Sequence, residues 1–187
     1  MLWLPLKPSF SCRIYLAYPS ADGNMVPFLP GPVDMNIVES QAVDLDYINS
    51  TYSRGHLNPS LHHQTYQCRS ATFTLTNVVP QKKWSNDGPW EVLELTVNKT
   101  LAAYCLGEAY IVTGIMPYQK EEHWMKNRVA VPEYLWSAYC CPNYNQSIPD
   151  RLKDAFPTFA IMSLDSLEMY LKDRFDTVIS VFNEQCG

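Results

Sequence analysis

One short stretch, Asn86-Asp-Gly-Pro-Trp-Glu91, constrains the fold of this chain more than any other. Asn and Asp cap helices, proline fits the first turn, and a glutamate there meets the positive end of the helix dipole. Trp90, Leu93, Val97 and Leu101 then recur on one face. Together they predict a helix from Asn86 to about Ala103. Ahead of it, Ala71-Thr-Phe-Thr-Leu-Thr-Asn77 alternates small polar and apolar residues and reads as a strand closed by Pro80. After it, residues 109–116, 134–140 and 158–162 read as buried strands. Ser163 caps a last helix that carries Leu164, Leu167, Leu171 and Phe175 on one side. Strands around a central helix and a terminal helix give an α+β fold with a mixed or antiparallel sheet.

The 187 residues suit one core. We expect a single domain over 36–187, preceded by a proline-rich segment, 1–35, that lacks a long periodic pattern. Within that segment, Arg13-Ile-Tyr-Leu-Ala-Tyr18 reads as a short strand and 27–32 as loop. Residues 36–60 read as irregular, with Gly55 permitting a close backbone and Pro59 ending regular structure. No apolar run approaches the roughly 18 residues of a membrane span.

Residues 53–94 carry the chemistry. Ser53-Arg-Gly-His56 precedes the expected strand; Asn77 lies at its end, Asn86 nine residues on, and Glu94 eight further. Taken singly these are a loop histidine, a surface arginine, a helix cap and a solvated glutamate. Taken together in this order and spacing, they resemble the site of the DNA/RNA non-specific endonucleases, and that resemblance implies phosphodiester hydrolysis, a reaction to which their chemistry is suited. A free imidazole titrates near about 6.5, so His56 can take a proton from water near neutral pH. Mg²⁺, or Mn²⁺ in its place, keeps most of its waters and accepts few protein ligands, so one Asn86 oxygen can hold it. Glu94 is two helical turns from Asn86 on the same broad side, within reach of metal-bound waters. Arg54 can fork onto a phosphate, and Asn77 can orient the His56 loop or the scissile phosphate. Lys82 and Lys83 add local positive charge. His62 and His63, being adjacent, point apart and read as loop residues near the site. Trp84 and Trp90 read as packing residues.

This pattern resembles the DNA/RNA non-specific endonuclease family, the ββα-metal or His-Me finger nucleases. Their signature is Asp-Arg-Gly-His, a strand ending in Asn, then Asn and Glu on one helix. Ser53-Arg54-Gly55-His56 matches three of four positions. Thr76-Asn77-Val-Val-Pro-Gln81, Asn86, Trp90 and Glu94 match the rest, and the resemblance spans about residues 40–182. It implies a ββα-metal core and metal-dependent cleavage of DNA and RNA that leaves a 5′-phosphate and a 3′-hydroxyl. The implied roles are His56 as base and Asn86 as metal ligand. Ser53 stands where the family usually has Asp, and Asn98 where some bacterial relatives carry Arg.

A net charge of −5 weighs against a purely electrostatic nucleic-acid binder, though a nuclease needs only a local positive site. Ser53, Asn98 and the charge keep a second reading open, a nuclease-fold binding protein with weak or no activity. Six cysteines without a C-x-x-C pair fit disulfides rather than zinc. We expect at least two bridges, with Cys68 and Cys105 as members and one of Cys140 or Cys141 paired at range. Asn49, Asn98 and Asn145 each begin an N-x-[ST] sequon. With the cysteines they point to a secreted or luminal glycoprotein. The apolar start of six residues before Lys7 is too short for a signal peptide, so the expected N-terminus is that of a fragment, a mature chain or an unusual transcript start. The sequence does not set the oligomeric state.

Overall fold

The structure is a computed structural model that describes residues 2–5, 32–120, 123–160 and 164–182. The expected strand at 13–18 and the Ser163 cap lie outside these residues.

Four strands form the main antiparallel sheet, in the order β1 (Leu2–Pro5), β4 (Tyr110–Met116), β7 (Tyr134–Cys140) and β8 (Thr158–Ala160). β4 and β7 pair along their full length, Tyr110 opposite Cys140 and Met116 opposite Tyr134. Alternation then sorts their side chains onto two faces. Val112, Met116, Trp136, Ala138 and Cys140 face helix α6 (Leu164–Phe175), whose Leu167 and Leu171 are buried against them. Ala109, Ile111, Tyr139 and Cys141 face helix α5 (Glu91–Tyr104) through Val97 and Leu101. Phe175, expected on the buried face of α6, is exposed because the packed stripe ends a turn earlier.

A second, two-stranded sheet pairs β2 (Tyr52–His56) with β3 (Val78–Lys82). The two elements preceding it are short helices, α1 (Met35–Ser40) and α2 (Asp44–Tyr47), so the region expected to be irregular is partly helical. Arg128 holds them from the hairpin β5 (Trp124–Met125) and β6 (Val129–Ala130), donating to Asp46, Val38 and Gln41. Tyr47, Leu75, Val78, Met125 and Val131 form the core beneath.

The strand expected at 71–77 is displaced. Residues 66–71 form helix α3 (Tyr66–Ala71), capped by the Thr65 side chain, and Leu75–Asn77 makes a 3-10 turn. The pairing partner of β2 begins only at Val78, and Pro80 sits inside β3 opposite Arg54 instead of closing it. A two-stranded ribbon has an outer edge on each strand, and a proline whose missing N–H faces that edge costs no ladder bond.

The predicted helix ends within one residue of its expected limit but begins differently. Lys83–Ser85 forms one turn, α4, and Asn86–Trp90 a wide π-type turn with non-helical backbone at Asp87 and Gly88. Regular α5 starts at Glu91. Gly88 and Pro89 break the ladder at the point where Asn86 is presented.

A candidate nuclease centre at the junction of the β-ribbon and helix α5

His56 ends β2, opposite Val78. The ribbon can approach itself closely here because Gly55 has no side chain: a Cβ there would lie 2.2 Å from Gln81 Oε1. Beyond His56 the chain is held by Asn77. The buried Asn77 amide donates to the carbonyls of Asn58 (2.9 Å) and Thr72 (2.8 Å), and its Oδ1 accepts from the Asn58 N–H (3.0 Å). Asn77 thus orients the His56 loop with its hydrogen bonds used internally.

His56, Pro59, Ser60, Leu61, Asn86, Asp87, Glu91 and Glu94 line one cavity of about 340 Å³. The fold therefore brings His56, Asn86 and Glu94 together from a strand end, a π-type turn and the first turn of a helix. Asp87 and Glu91 join them. Their sequence signal is a helix start, but the i, i+4 spacing from Asp87 to Glu91, and i, i+3 from Glu91 to Glu94, also puts them on one helical face. Phe73, read from the sequence only as part of a strand, meets the His56 ring edge-on, with centroids 4.9 Å apart and planes at 89°. That contact restricts rotation of the imidazole.

Burial sets the electrostatics. Desolvation lowers the His56 pKa below its ordinary value, and its Nε2 is buried with no hydrogen-bond partner. Desolvation raises the Glu94 carboxyl to about 7, partly offset by the Trp90 indole N–H and raised further by Glu91. The indole N–H lies near the carboxylate but short of a well-formed bond. Among the described residues no hydrogen bond reaches the Asn86 side chain. The neutral Asn86 amide and the carboxyls of Asp87, Glu91 and Glu94 supply hard oxygen donors, with the unpartnered His56 nitrogen beside them. That set fits a divalent cation keeping most of its water. Among the described residues no group of three or more His, Cys, Asp or Glu could hold a metal ion.

The remaining expected residues lie elsewhere. Arg54 is turned away from the cavity: its guanidinium donates to Asp44 (2.7 Å) and stacks over the Tyr47 ring. Lys82 is exposed and lies over the Tyr52 ring, 4.7 Å from its centroid. Trp90 is buried as expected, but Trp84 is 74% exposed because its turn has no partner layer over it. Asn49 and Asn145 are exposed, Asn49 in a turn at φ 55°. Asn98 instead lies inside α5, its amide donating to the Leu61 carbonyl (2.8 Å). Cys105 pairs with Cys141, and Cys140 is also disulfide-bonded. Cys68 is a half-buried free thiol and not the bridge member expected.

Residues 32–170 match the DNA/RNA non-specific endonuclease family. The endonuclease domain-containing 1 protein of Homo sapiens is 38% identical over 103 residues, 54% of this chain and 20% of that protein. Its Mus musculus counterpart is 35% identical over 108 residues, 57% and 21% of the two chains. Endonuclease G of Homo sapiens is 32% identical over 107 residues, 51% and 35%. The match thus spans about a fifth to a third of the length of these relatives. A chain of the crystal structure of the EndoG/EndoGI complex superposes with a TM-score of 0.52 at 24% identity, over 68% of this chain and 60% of that one, which establishes a likeness of fold. The ribbon ending in His56, the turn presenting Asn86 and the match along three quarters of the sequence coincide, and this chain belongs to the DNA/RNA non-specific endonuclease family.

Proposed function

We propose that this protein is a divalent-metal-dependent endonuclease that hydrolyses phosphodiester bonds of DNA and RNA. The observation that carries the reading is the single cavity lined by His56, Asn86 and Glu94. His56 acts as the general base. Its burial keeps the imidazole neutral near pH 7, so a ring nitrogen is available to take a proton from water as that water attacks phosphorus. The edge-on Phe73 ring and the Asn77-bonded loop hold that nitrogen in place. Asn86 would supply the protein ligand to Mg²⁺ or Mn²⁺, and Glu94 and Glu91 would be placed to accept hydrogen bonds from its waters. When bound, the cation offsets negative charge on the phosphate and the leaving oxygen. Arg54 and Lys82 bind flanking phosphates, for which Arg54 must exchange the exposed Asp44 carboxylate for a phosphate oxygen.

A second reading, a nuclease-fold nucleic-acid binder with little activity, draws support from the acid-rich cavity and from the engagement of Arg54 with Asp44. Nicking of supercoiled plasmid separates the two. We expect Mg²⁺-dependent conversion to open circles that a chelator abolishes. Plasmid that stays supercoiled with Mg²⁺ or Mn²⁺ while still binding the protein would favour the second reading.

A further inference from the structure

His56 and Asn86 sit on elements joined by a long excursion of chain, so something must fix the 57–63 loop against helix α5. Two hydrogen bonds do this, and they are reciprocal. The Asn98 amide on the helix donates to the Leu61 carbonyl on the loop at 2.8 Å. The His62 ring nitrogen Nε2 on the loop lies 3.0 Å from the Glu94 carbonyl on the helix. A carbonyl only accepts, so His62 carries its proton on Nε2 in this contact. Residues 94 and 98 are one turn apart on the same face, so both bonds fall on one seam. That seam borders the cavity wall made by Pro59, Ser60 and Leu61 on one side and Glu91 and Glu94 on the other.

We propose that His62 and Asn98 are positioning residues that lock the His56 loop to the metal-bearing helix, and that the Asn98 amide serves this bond rather than a glycan. The proposal rests on the nuclease reading for its catalytic consequence but not for its structural one. Burial lowers the His62 pKa, chiefly by desolvation, which favours the neutral single-donor ring the contact needs. Asn98 lies mid-helix, where the sequon backbone is not the exposed turn seen at Asn49. A displacement of the wall by about 1 Å is enough to cost on the order of 100-fold in rate when reacting groups must be aligned.

Two substitutions separate the positioning role from glycosylation. Thr100→Ala destroys the sequon and leaves the amide; Asn98→Leu removes both and keeps a helix-forming residue of similar size. Both chains, made in a secretory eukaryotic host, are compared with wild type for plasmid nicking and hydrogen exchange, at a temperature where all are folded. We expect Thr100→Ala to match wild type, and mass measurement to find no glycan on Asn98. Asn98→Leu should lower kcat about 10- to 100-fold with KM nearly unchanged. It should also speed exchange at the 57–63 amides and move the acid limb of the pH profile up, as His56 becomes wetter. His62→Phe should do the same, and His62→Gln, which keeps a donor, should recover part of the loss. Equal behaviour of Thr100→Ala and Asn98→Leu, or a glycan on Asn98 of the active protein, would overturn the proposal. If wild type itself does not nick plasmid, the nuclease reading fails. The seam is then judged by exchange alone: unchanged protection of 57–63 in Asn98→Leu refutes it.

Discussion

At the scale of single residues, the desolvated pair His56 and Glu94 makes two measurable demands. A general base works only when neutral, so with Mg²⁺ saturating, kcat/KM should rise with pH and level off. The midpoint should fall below about 6.5, because burial lowers the His56 pKa. His56→Ala should lose on the order of 10²–10⁴ in nicking rate while keeping its circular-dichroism spectrum. A rate equal to wild type would remove His56 from the mechanism. Glu94 makes the opposite kind of demand. Its folded pKa of about 7 exceeds the ordinary carboxyl value, so the fold binds this proton more tightly than the unfolded chain does. The stability it contributes is complete below about pH 4.5 and is lost as pH rises through 7. Glu94→Gln should therefore unfold at higher temperature than wild type at pH 8 and at a similar temperature at pH 4. With solvent screening allowed for, the gain at pH 8 is on the order of 1–2 kcal/mol. The same variant should lose activity, so stability and function trade against each other at one carboxyl.

At the scale of elements, the ribbon β2–β3 depends on one close approach. Gly55→Ala would place a Cβ 2.2 Å from Gln81 Oε1 and 2.9 Å from Gln81 Cβ. Gln81 is buried, with its amide committed to Ser85, so it has little room to yield. We expect a loss of about 1–3 kcal/mol in urea unfolding, with activity falling further because His56 is the next residue. A variant as stable as wild type would mean that the two strands separate easily. The same elements show where local sequence misleads. Threonine alternation over 71–77 satisfies a strand pattern, yet Thr65 caps a short helix there and Asn77 turns inward to bind three backbone groups. Pairing to β2 begins only after that turn. By contrast, the Val97 and Leu101 stripe of α5 and the run Tyr134–Cys140 were legible, because long periodic segments state their own burial.

At the scale of the whole molecule, the Cys105–Cys141 bridge ties the end of α5 to the end of β7 across 36 residues of sequence. Closing a loop of that size restricts the unfolded chain by about 3–4 kcal/mol in the chain-entropy account. Cys105→Ala with Cys141→Ala should lower Tm by on the order of 10 °C in a scanning measurement. A shift of less than a few degrees would show that the sheet and α5 hold this junction unaided. The bridge, and relatives named endonuclease domain-containing 1, are compatible with the secretory pathway. No described helix is long and apolar enough to cross a membrane.

The sequence by itself determined the α+β class, the family signature, the two main strands, and the order His56, Asn77, Asn86, Glu94. All of these are local or periodic: a cap, a stripe, an alternation, a spacing. Only the tertiary structure decided which groups share the cavity, because that depends on contacts between segments far apart in sequence. It added Asp87, Glu91 and Phe73 to His56. It turned Arg54 onto Asp44, paired Cys105 with Cys141, left Cys68 a free thiol, and exposed Trp84. It also made Asn98 a partner of Leu61, thirty-seven residues away. A sequon is read from three adjacent residues; whether its amide is already bonded is settled only when the loop and the helix meet.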